Sequence, residues 1–276
     1  MIEAFYWFKA GYCTAIEKLA RRGGAWRKVQ FAAAVGLFKH SQLGYILFDT
    51  GYALRYYTAT QKMPARLVRW VLPTYVTEQE AVVNQLAAAG IQPTHLHSII
   101  LSHLHGDHVA GLADFAGVPT YLHETARPYL DLPASSPPKH GVIAGLLPAH
   151  LKNTIQLFAT TAARPHPIFE QCWDFNNDGS LILVPLPGHA LGQIGVIFSF
   201  EGREWLLAAD AAWFIQDIEH QQMPPWLARQ IIYDKMAYRQ TLQKILHWQV
   251  EKPGRVVIPT HCPQSFARHY RPLHVV

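Results

Sequence analysis

Between Leu101 and Leu112 the chain reads Leu-Ser-His-Leu-His-Gly-Asp-His-Val-Ala-Gly-Leu, so His103, His105, Asp107 and His108 place four metal-binding groups within six residues. The apolar run Ser98–Leu101 leads straight into them. In extended chain successive side chains alternate sides, so His103 and His105 point the same way and can share one ion. Gly106 permits a sharp turn of the backbone, which redirects Asp107 and His108 toward a second ion. Imidazole nitrogen and carboxylate oxygen suit Zn, Mn or Fe, and no thiolate is needed. Two such ions roughly 3.5 to 4 Å apart serve hydrolysis: they hold a water as hydroxide and polarise the oxygen under attack.

Three further histidine or aspartate segments follow strand-like runs. Pro187-Gly-His189 comes after Leu181–Val184, Ala208-Ala-Asp210 after Trp205–Leu207, and Ile258-Pro-Thr-His261 closes the run that begins at Arg255. The four segments, in this order, resemble the metallo-β-lactamase superfamily, whose hallmark is a His-x-His-x-Asp-His loop after a buried strand. The resemblance implies an α/β fold, a four-layer αββα sandwich, spread over residues 1–276 as one domain. It also implies a ligand set: His103, His105 and His189 on the first ion, Asp107, His108 and His261 on the second, and Asp210 bridging both. The cofactor would be two divalent ions, Zn foremost, with Mn or Fe as alternatives. Asp107 or Asp210 would pass a proton to the leaving group. Asp49, at the end of Gly44–Phe48, corresponds to a residue that braces the metal loop from behind, or else caps its own turn.

Departures from the relatives narrow the substrate. Several β-lactamases of the superfamily carry Cys where Asp210 stands. Oxygen-reducing flavodiiron relatives carry Glu where His105 stands. The substrate arm and basic surface of RNase Z-type nucleases are not visible, and the few residues after His261 leave no room for the helical domain of glyoxalase II. What remains most resembles the acyl-homoserine lactone hydrolases, which implies a lactone or other carboxylic ester as substrate. A phosphodiesterase or thioesterase on the same ions is the alternative within enzymes, and a metal-binding sensor the alternative outside them. Those lactonases commonly offer a Tyr three residues after the bridging Asp. Here that position is Trp213, expected to form an apolar wall, with a donor coming instead from Tyr52–Tyr75. Trp213 and Tyr75 are the substrate-binding candidates.

Composition sets the outer bounds. The 24 Lys and Arg against 19 Asp and Glu give a formal net charge of +5, spread along the chain without the clustered face that a nucleic-acid groove needs. The expected partner is a small hydrophobic or anionic molecule, with no nucleic acid; oligomeric state is open. Three cysteines, Cys13, Cys172 and Cys262, form no disulfide framework, which together with an N-terminus unlike a secretory signal leads to a cytoplasmic expectation. No apolar run approaches the roughly 20 residues of a membrane span.

The elements that must position these groups are read with unequal ease. Gln30–Phe38 is apolar throughout, so periodicity leaves strand and helix open. Thr77-Glu-Gln-Glu80 is a capping box ahead of a helix over 81–89, ended by Gly90. Val118–Leu122 reads as a strand, and Gly195–Phe200 with Arg203–Leu207 as a hairpin turning at Glu201-Gly202. Apolar spacing over 226–249, including Ile231, Met236, Leu242 and Ile245, predicts a long packing helix. Residues 125–178 are broken by seven prolines between Pro128 and Pro167 and are expected to be a pocket-lining insertion.

Overall fold

The computed structural model describes residues 1–273, and among these two sheets form the centre of the molecule. The first runs, in spatial order, β4 (Thr74–Tyr75), β1 (Ile2–Ile16), β2 (Lys28–His40), β3 (Gly44–Phe48), β5 (Leu96–Ile100), β6 (Thr120–His123) and β7 (Ile155–Phe158). The second runs β13 (Val256–Pro259), β12 (Arg203–Ala209), β11 (Ile194–Phe200), β10 (Leu181–Pro185), β9 (Glu170–Asp174) and β8 (Arg164–His166). The helices are α1 (Glu17–Ala20), α2 (Arg55–Ala59), α3 (Ala65–Val71), α4 (Val82–Ala88), α5 (Gly106–Val109), α6 (Leu151–Thr154), α7 (Ile215–Glu219), α8 (Lys235–Glu251) and α9 (Pro263–His269).

Strand β2 shows why the layers stack as they do. Ala34 and Phe38 pack with Phe5, Trp7, Phe198, Trp205 and Leu207 in the core shared by the two sheets. Ala33, Val35 and Leu37 point the other way, into a second core with Val82 and Leu86 of α4. The strand is therefore buried on both faces, which explains an apolar run with no alternation. A third core lies outside the second sheet, where Tyr238, Leu242, Ile245 and Trp248 of α8 cover Val184, Leu206 and Val257. The order helix, sheet, sheet, helix is the four-layer sandwich.

Strands that lead into the candidate ligands share a direction. β3 runs parallel to β5, and β12 parallel to β13, while β10 is antiparallel to β11 and β11 to β12. Their carboxyl ends thus bring Asp49, the 103–108 loop, His189, Asp210 and His261 to one rim, the edge where ligands bind in sheets of this kind.

Three local expectations are corrected. Thr77 and Glu80 do bond reciprocally, Thr77 N–H to Glu80 Oε2 at 3.0 Å and Glu80 N–H to Thr77 Oγ1 at 3.3 Å, but they close a separate turn. Ala81, extended at ψ 136°, breaks continuity, so α4 starts only at Val82. The long helix starts at Lys235 instead of Trp226. Its cap Asp234 accepts from Met236 and Ala237 at 2.9 and 3.0 Å, whereas the N–H groups of Tyr233 and Asp234 are already given to the carbonyls of His189 and Gly188, at 3.1 and 2.8 Å. Donors committed to the site loop cannot serve a helix, and Ile231, left ahead of it, is exposed, as is Met236 on the outer face of its first turn. Third, the chain does turn at Gly106, from extended His105 into α5, but without a left-handed backbone. A Cβ there would lie 2.9 Å from Tyr56 Cε2 and 3.1 Å from Leu146 Cδ1, so space, and not a left-handed φ, is what favours glycine.

Residues 125–178 are not a uniform loop. β7 extends the first sheet beyond β6, β8 and β9 extend the second, and the intervening Lys139–Val142 turn reaches the rim.

Candidate metal centre

The site is built from its main-chain frame inward. Asp49 leaves β3 at φ 63°, a left-handed conformation open to Asp and Asn more readily than to most residues. Its buried carboxylate accepts from Ser102 N–H at 2.7 Å, from Ser102 Oγ–H at 2.8 Å and from His108 Nδ1–H at 2.8 Å. Thr50 N–H and its hydroxyl both donate to the His108 carbonyl at 2.8 Å, locking the start of α5 against β3. Ile194 N–H donates to the Ser102 carbonyl at 3.0 Å, which ties the loop to the second sheet as well. Gly111 permits the closest approach, since a Cβ there would stand 2.3 Å from the Thr50 carbonyl oxygen.

Each histidine of the loop, and His261, spends one ring nitrogen on this frame and turns the other inward. His103 Nδ1 lies 2.9 Å from Ser102 Oγ, leaving Nε2 buried with no partner. His105 Nε2–H donates to the His140 carbonyl at 2.8 Å, and Gly141, at φ 83°, passes so close that a Cβ would overlap that ring. His108 turns Nε2 inward, and His261, whose Nδ1–H donates to the Ala32 carbonyl at 2.7 Å, does the same. Fixing one nitrogen by a hydrogen bond selects the tautomer that presents the other as a ligand.

Two triads result. Ligand atoms of His103, His105 and His189 lie within 4.8 Å of one another, and so do those of Asp107, His108 and His261. Asp210 stands between them: Oδ1 is 3.2 Å from His108 Nε2, and Oδ2 is 3.0 Å from His261 Nε2 and 3.4 Å from His189 Nε2. Asp107 Oδ2 reaches His261 Nε2 at 3.1 Å. Ala209, at φ 47°, turns the chain sharply before this aspartate, a strained conformation of the kind that accumulates at functional sites. His103 Nε2 is buried with no partner, and His108 Nε2 and Asp210 Oδ1, equally buried, face only each other at 3.2 Å. Buried polar atoms left unpaired are costly, and converging ones of this donor type fit a divalent cation.

Electrostatics divides the imidazoles. Burial pushes His103 and His105 down, and His189 down to about 3, so these are neutral, lone-pair donors. Burial also opposes charge on His108 and His261, but the carboxylates outweigh it: Asp49, Asp107 and Asp210 raise His108 to about 10, and Asp210 with Asp107 raises His261 well above its ordinary value. The same attractions overcome burial to hold Asp107 and Asp210 ionised far below the usual carboxylate range. Cations entering between these groups therefore displace protons from His108 and His261.

The candidate aromatics are placed unequally. The Trp213 ring stands edge-on to His189, centroids 5.8 Å apart, within the apolar cluster that includes Phe31 and Phe214. Tyr75 lies on edge strand β4, 42% exposed, stacked on Tyr12 at 5.1 Å. Within the same segment it is Tyr56 that presses on the metal loop, at Gly106. Cys13, Cys172 and Cys262 are buried and unpaired, and Cys262 Sγ accepts from Ile215 N–H at 3.3 Å. Ser102 is the functional residue that pattern reading passed over, although it sits inside the motif.

Fold and site together define a metal-dependent hydrolase. Residues 31–261 match the metallo-beta-lactamase superfamily, and the chain belongs to it. It is 24% identical over 69% of its length to the N-acyl homoserine lactonase AttM of Rhizobium johnstonii, covering 67% of that protein, and 23% identical over 81% of its length to the probable metallo-hydrolase Rv2300c of Mycobacterium tuberculosis, covering 72% of it. Among solved structures, an N-acyl homoserine lactone hydrolase with the product N-hexanoyl-L-homoserine at its catalytic metal centre superposes with a TM-score of 0.77 at 18% identity, covering 97% of this chain and 96% of that one. The dizinc quorum-quenching lactonase AidC superposes at 0.65 with 14% identity, covering 94% and 87%. No described helix is long and apolar enough to cross a membrane.

Proposed function

We propose that the protein hydrolyses a lactone or other carboxylic ester with two divalent ions, Zn foremost. His103, His105 and His189 would hold one ion, Asp107, His108 and His261 the other, with Asp210 facing both. When bound, such ions lower the pKa of water and polarise a carbonyl oxygen. The observation that carries this reading is the meeting of two ligand triads at one buried carboxylate, Asp210, 3.0 to 3.4 Å from three of their nitrogens.

The chain's own residues supply the rest. Hydrogen bonds to Asp49, Ser102, His140 and Ala32 fix the ring orientations, so little reorganisation remains when substrate arrives. Asp107 and Asp210, ionised and beside the reacting centre, are placed to take a proton and deliver it to the leaving alkoxide. Trp213 offers an indole face that favours a hydrophobic acyl group. The lactonases among the relatives support an ester over a phosphodiester or thioester. A panel of acyl-homoserine lactones, simple lactones, p-nitrophenyl esters, thioesters and bis-p-nitrophenyl phosphate, assayed on metal-loaded protein, tests this. Turnover led by the lactones is expected; preference for the phosphodiester or the thioester would overturn the assignment, and no hydrolysis of any member would favour a sensor.

A further inference from the structure

Helix α3 is the element of this fold that the packing leaves aside. None of its seven residues is buried, and what holds it is polar: Arg69 donates to the Tyr57 carbonyl at 3.5 Å and lies over the Tyr57 ring, while the Tyr57 hydroxyl donates to the Thr74 carbonyl at 3.2 Å and accepts from Val76 N–H at 3.0 Å. Its large apolar side chains serve no core. Met63, Leu67, Trp70 and Val71 are 59%, 44%, 60% and 75% exposed. Leu67, Trp70 and Val71 fall at i, i+3 and i+4 on one face of the helix, and Met63 lies in the turn just ahead of it.

A cationic stripe runs beside them. Arg66 and Arg69 each sit one position before Leu67 and Trp70, Lys62 stands in the turn ahead of the helix, and none of the three forms an ion pair among the described residues. The Arg66 guanidinium lies 5.0 Å from the Trp70 ring, its charge at the border between the two stripes. No Asp or Glu occurs from Tyr52 to Thr77. We propose that this face is an interfacial docking surface for an anionic lipid bilayer, with Leu67, Trp70 and Val71 entering the acyl boundary, Met63 beside them, and Lys62 and Arg66 pairing with headgroup phosphates.

Charge and shape together select this occupant. A second copy across a two-fold axis would bring the same cationic stripe against itself, with no acid nearby to relieve the repulsion. The apolar residues of this face are 44 to 75% exposed, and a lipid surface receives such side chains without a matching groove. Tryptophan and snorkelling arginine are the side chains that settle at the headgroup level. The surface lies on the segment whose Tyr56 presses on the 103–108 loop, so a docked molecule would hold its site near a membrane. This inference does not depend on the hydrolytic reading.

The test is co-sedimentation of the full metal-loaded chain with vesicles of phosphatidylglycerol and phosphatidylcholine in equal parts, against phosphatidylcholine alone. Binding to the anionic vesicles, weakened by raised salt, is expected. Lys62→Gln with Arg66→Gln should reduce it by about five-fold per cation removed. Leu67→Ser with Trp70→Ser should abolish it while ester turnover stays unchanged and the melting temperature falls little, because neither side chain belongs to a core cluster. Equal binding to both vesicle types, or none, would overturn the proposal. So would loss of binding on replacing by Ser the other strongly exposed tryptophan near the N-terminus, Trp26 at 76%, but not on the α3 variants, or a concentration-dependent dimer dissolved by the α3 variants in protein that ignores vesicles.

Discussion

Replacing Asp49 by Asn separates charge from shape behind the metal loop. Ser102 N–H is an obligate donor 2.7 Å from Asp49 Oδ1, so an asparagine must keep its carbonyl oxygen there. Its NH2 then occupies the position of Oδ2 and faces His108 Nδ1 at 2.8 Å. A donor at that place forces Nδ1 to become the acceptor and puts the ring proton on Nε2, the nitrogen turned toward Asp107 and Asp210. His108 would then present a proton where a cation needs a lone pair, the tautomer error that aspartate-to-asparagine changes behind a histidine produce in other enzymes. Affinity for the ion held by Asp107, His108 and His261 should fall by about 10- to 100-fold, roughly 1.4 to 2.7 kcal/mol.

Asp49→Ala is the contrasting variant. Asparagine tolerates the φ of 63° at this position, whereas alanine pays about 1 to 2 kcal/mol for it and also orphans Ser102 N–H at a further cost of about 1 to 3 kcal/mol. The alanine variant should therefore melt roughly 5 to 10 °C below the asparagine variant. Competitive titration against a chelator of known affinity, together with calorimetric melting of both proteins, reads the two effects separately. An Asp49→Asn protein that takes up both ions at wild-type affinity would refute the tautomer argument.

Three more outcomes follow from the same geometry. Stripping metal with a chelator should lower the melting temperature, by about 2.7 kcal/mol of stability at a free-ion concentration 100 times the Kd, and reloading should release protons from His108 and His261, seen as buffer-dependent calorimetric heat, with affinity rising as pH rises. Trp213→Phe should leave kcat within about three-fold of wild type if the indole is a wall, whereas removal of a hydrogen bond made only in the transition state would cost about 10²-fold. Burial raises Asp217 to about 7, and its Oδ2 has no hydrogen-bond partner. Its folded-state value lies above the unfolded one, so the folded state holds the extra proton and stability declines as pH climbs from about 4 to 7. Asp217→Asn should thus raise the melting temperature by at least about 4 °C at pH 8 and leave it unchanged near pH 4, which thermal melts at the two pH values check.

How far the sequence could be read depended on which atoms carry each role. The strands around the loop were legible where polar residues alternate or a turn intervenes, as at Glu201-Gly202, which joins β11 and β12 with Phe200 directly opposite Arg203. β2 was ambiguous because burial on both faces erases periodicity, and only the resemblance to a family favoured a strand. The start of α8 was misplaced because the side chains at Ile231 and Met236 fit a helical period, while the deciding event, the gift of two backbone N–H groups to the 188–189 loop, involves no side chain at all. Gly106 was misread for a related reason. A glycine announces that something must be close or that φ must be positive, and the sequence does not say which; the neighbour that decides, Tyr56, lies fifty residues earlier.

The same distinction runs through the centre itself. The histidines and aspartates that face inward were visible because their chemistry resides in their side chains. Half of what orients them is main chain: the carbonyls of His140 and Ala32 hold His105 and His261, the latter across 229 positions of sequence. Any residue supplies a carbonyl, so these acceptors leave no trace in residue type, and substitution at Ala32 or His140 would not remove them. Side-chain braces such as Asp49 and Ser102 can be deleted one by one. The carbonyl braces yield only to changes that move the backbone, which makes Gly141 the sensitive point of the second kind: a side chain there must displace the turn that carries the His140 carbonyl, and with it the ring of His105.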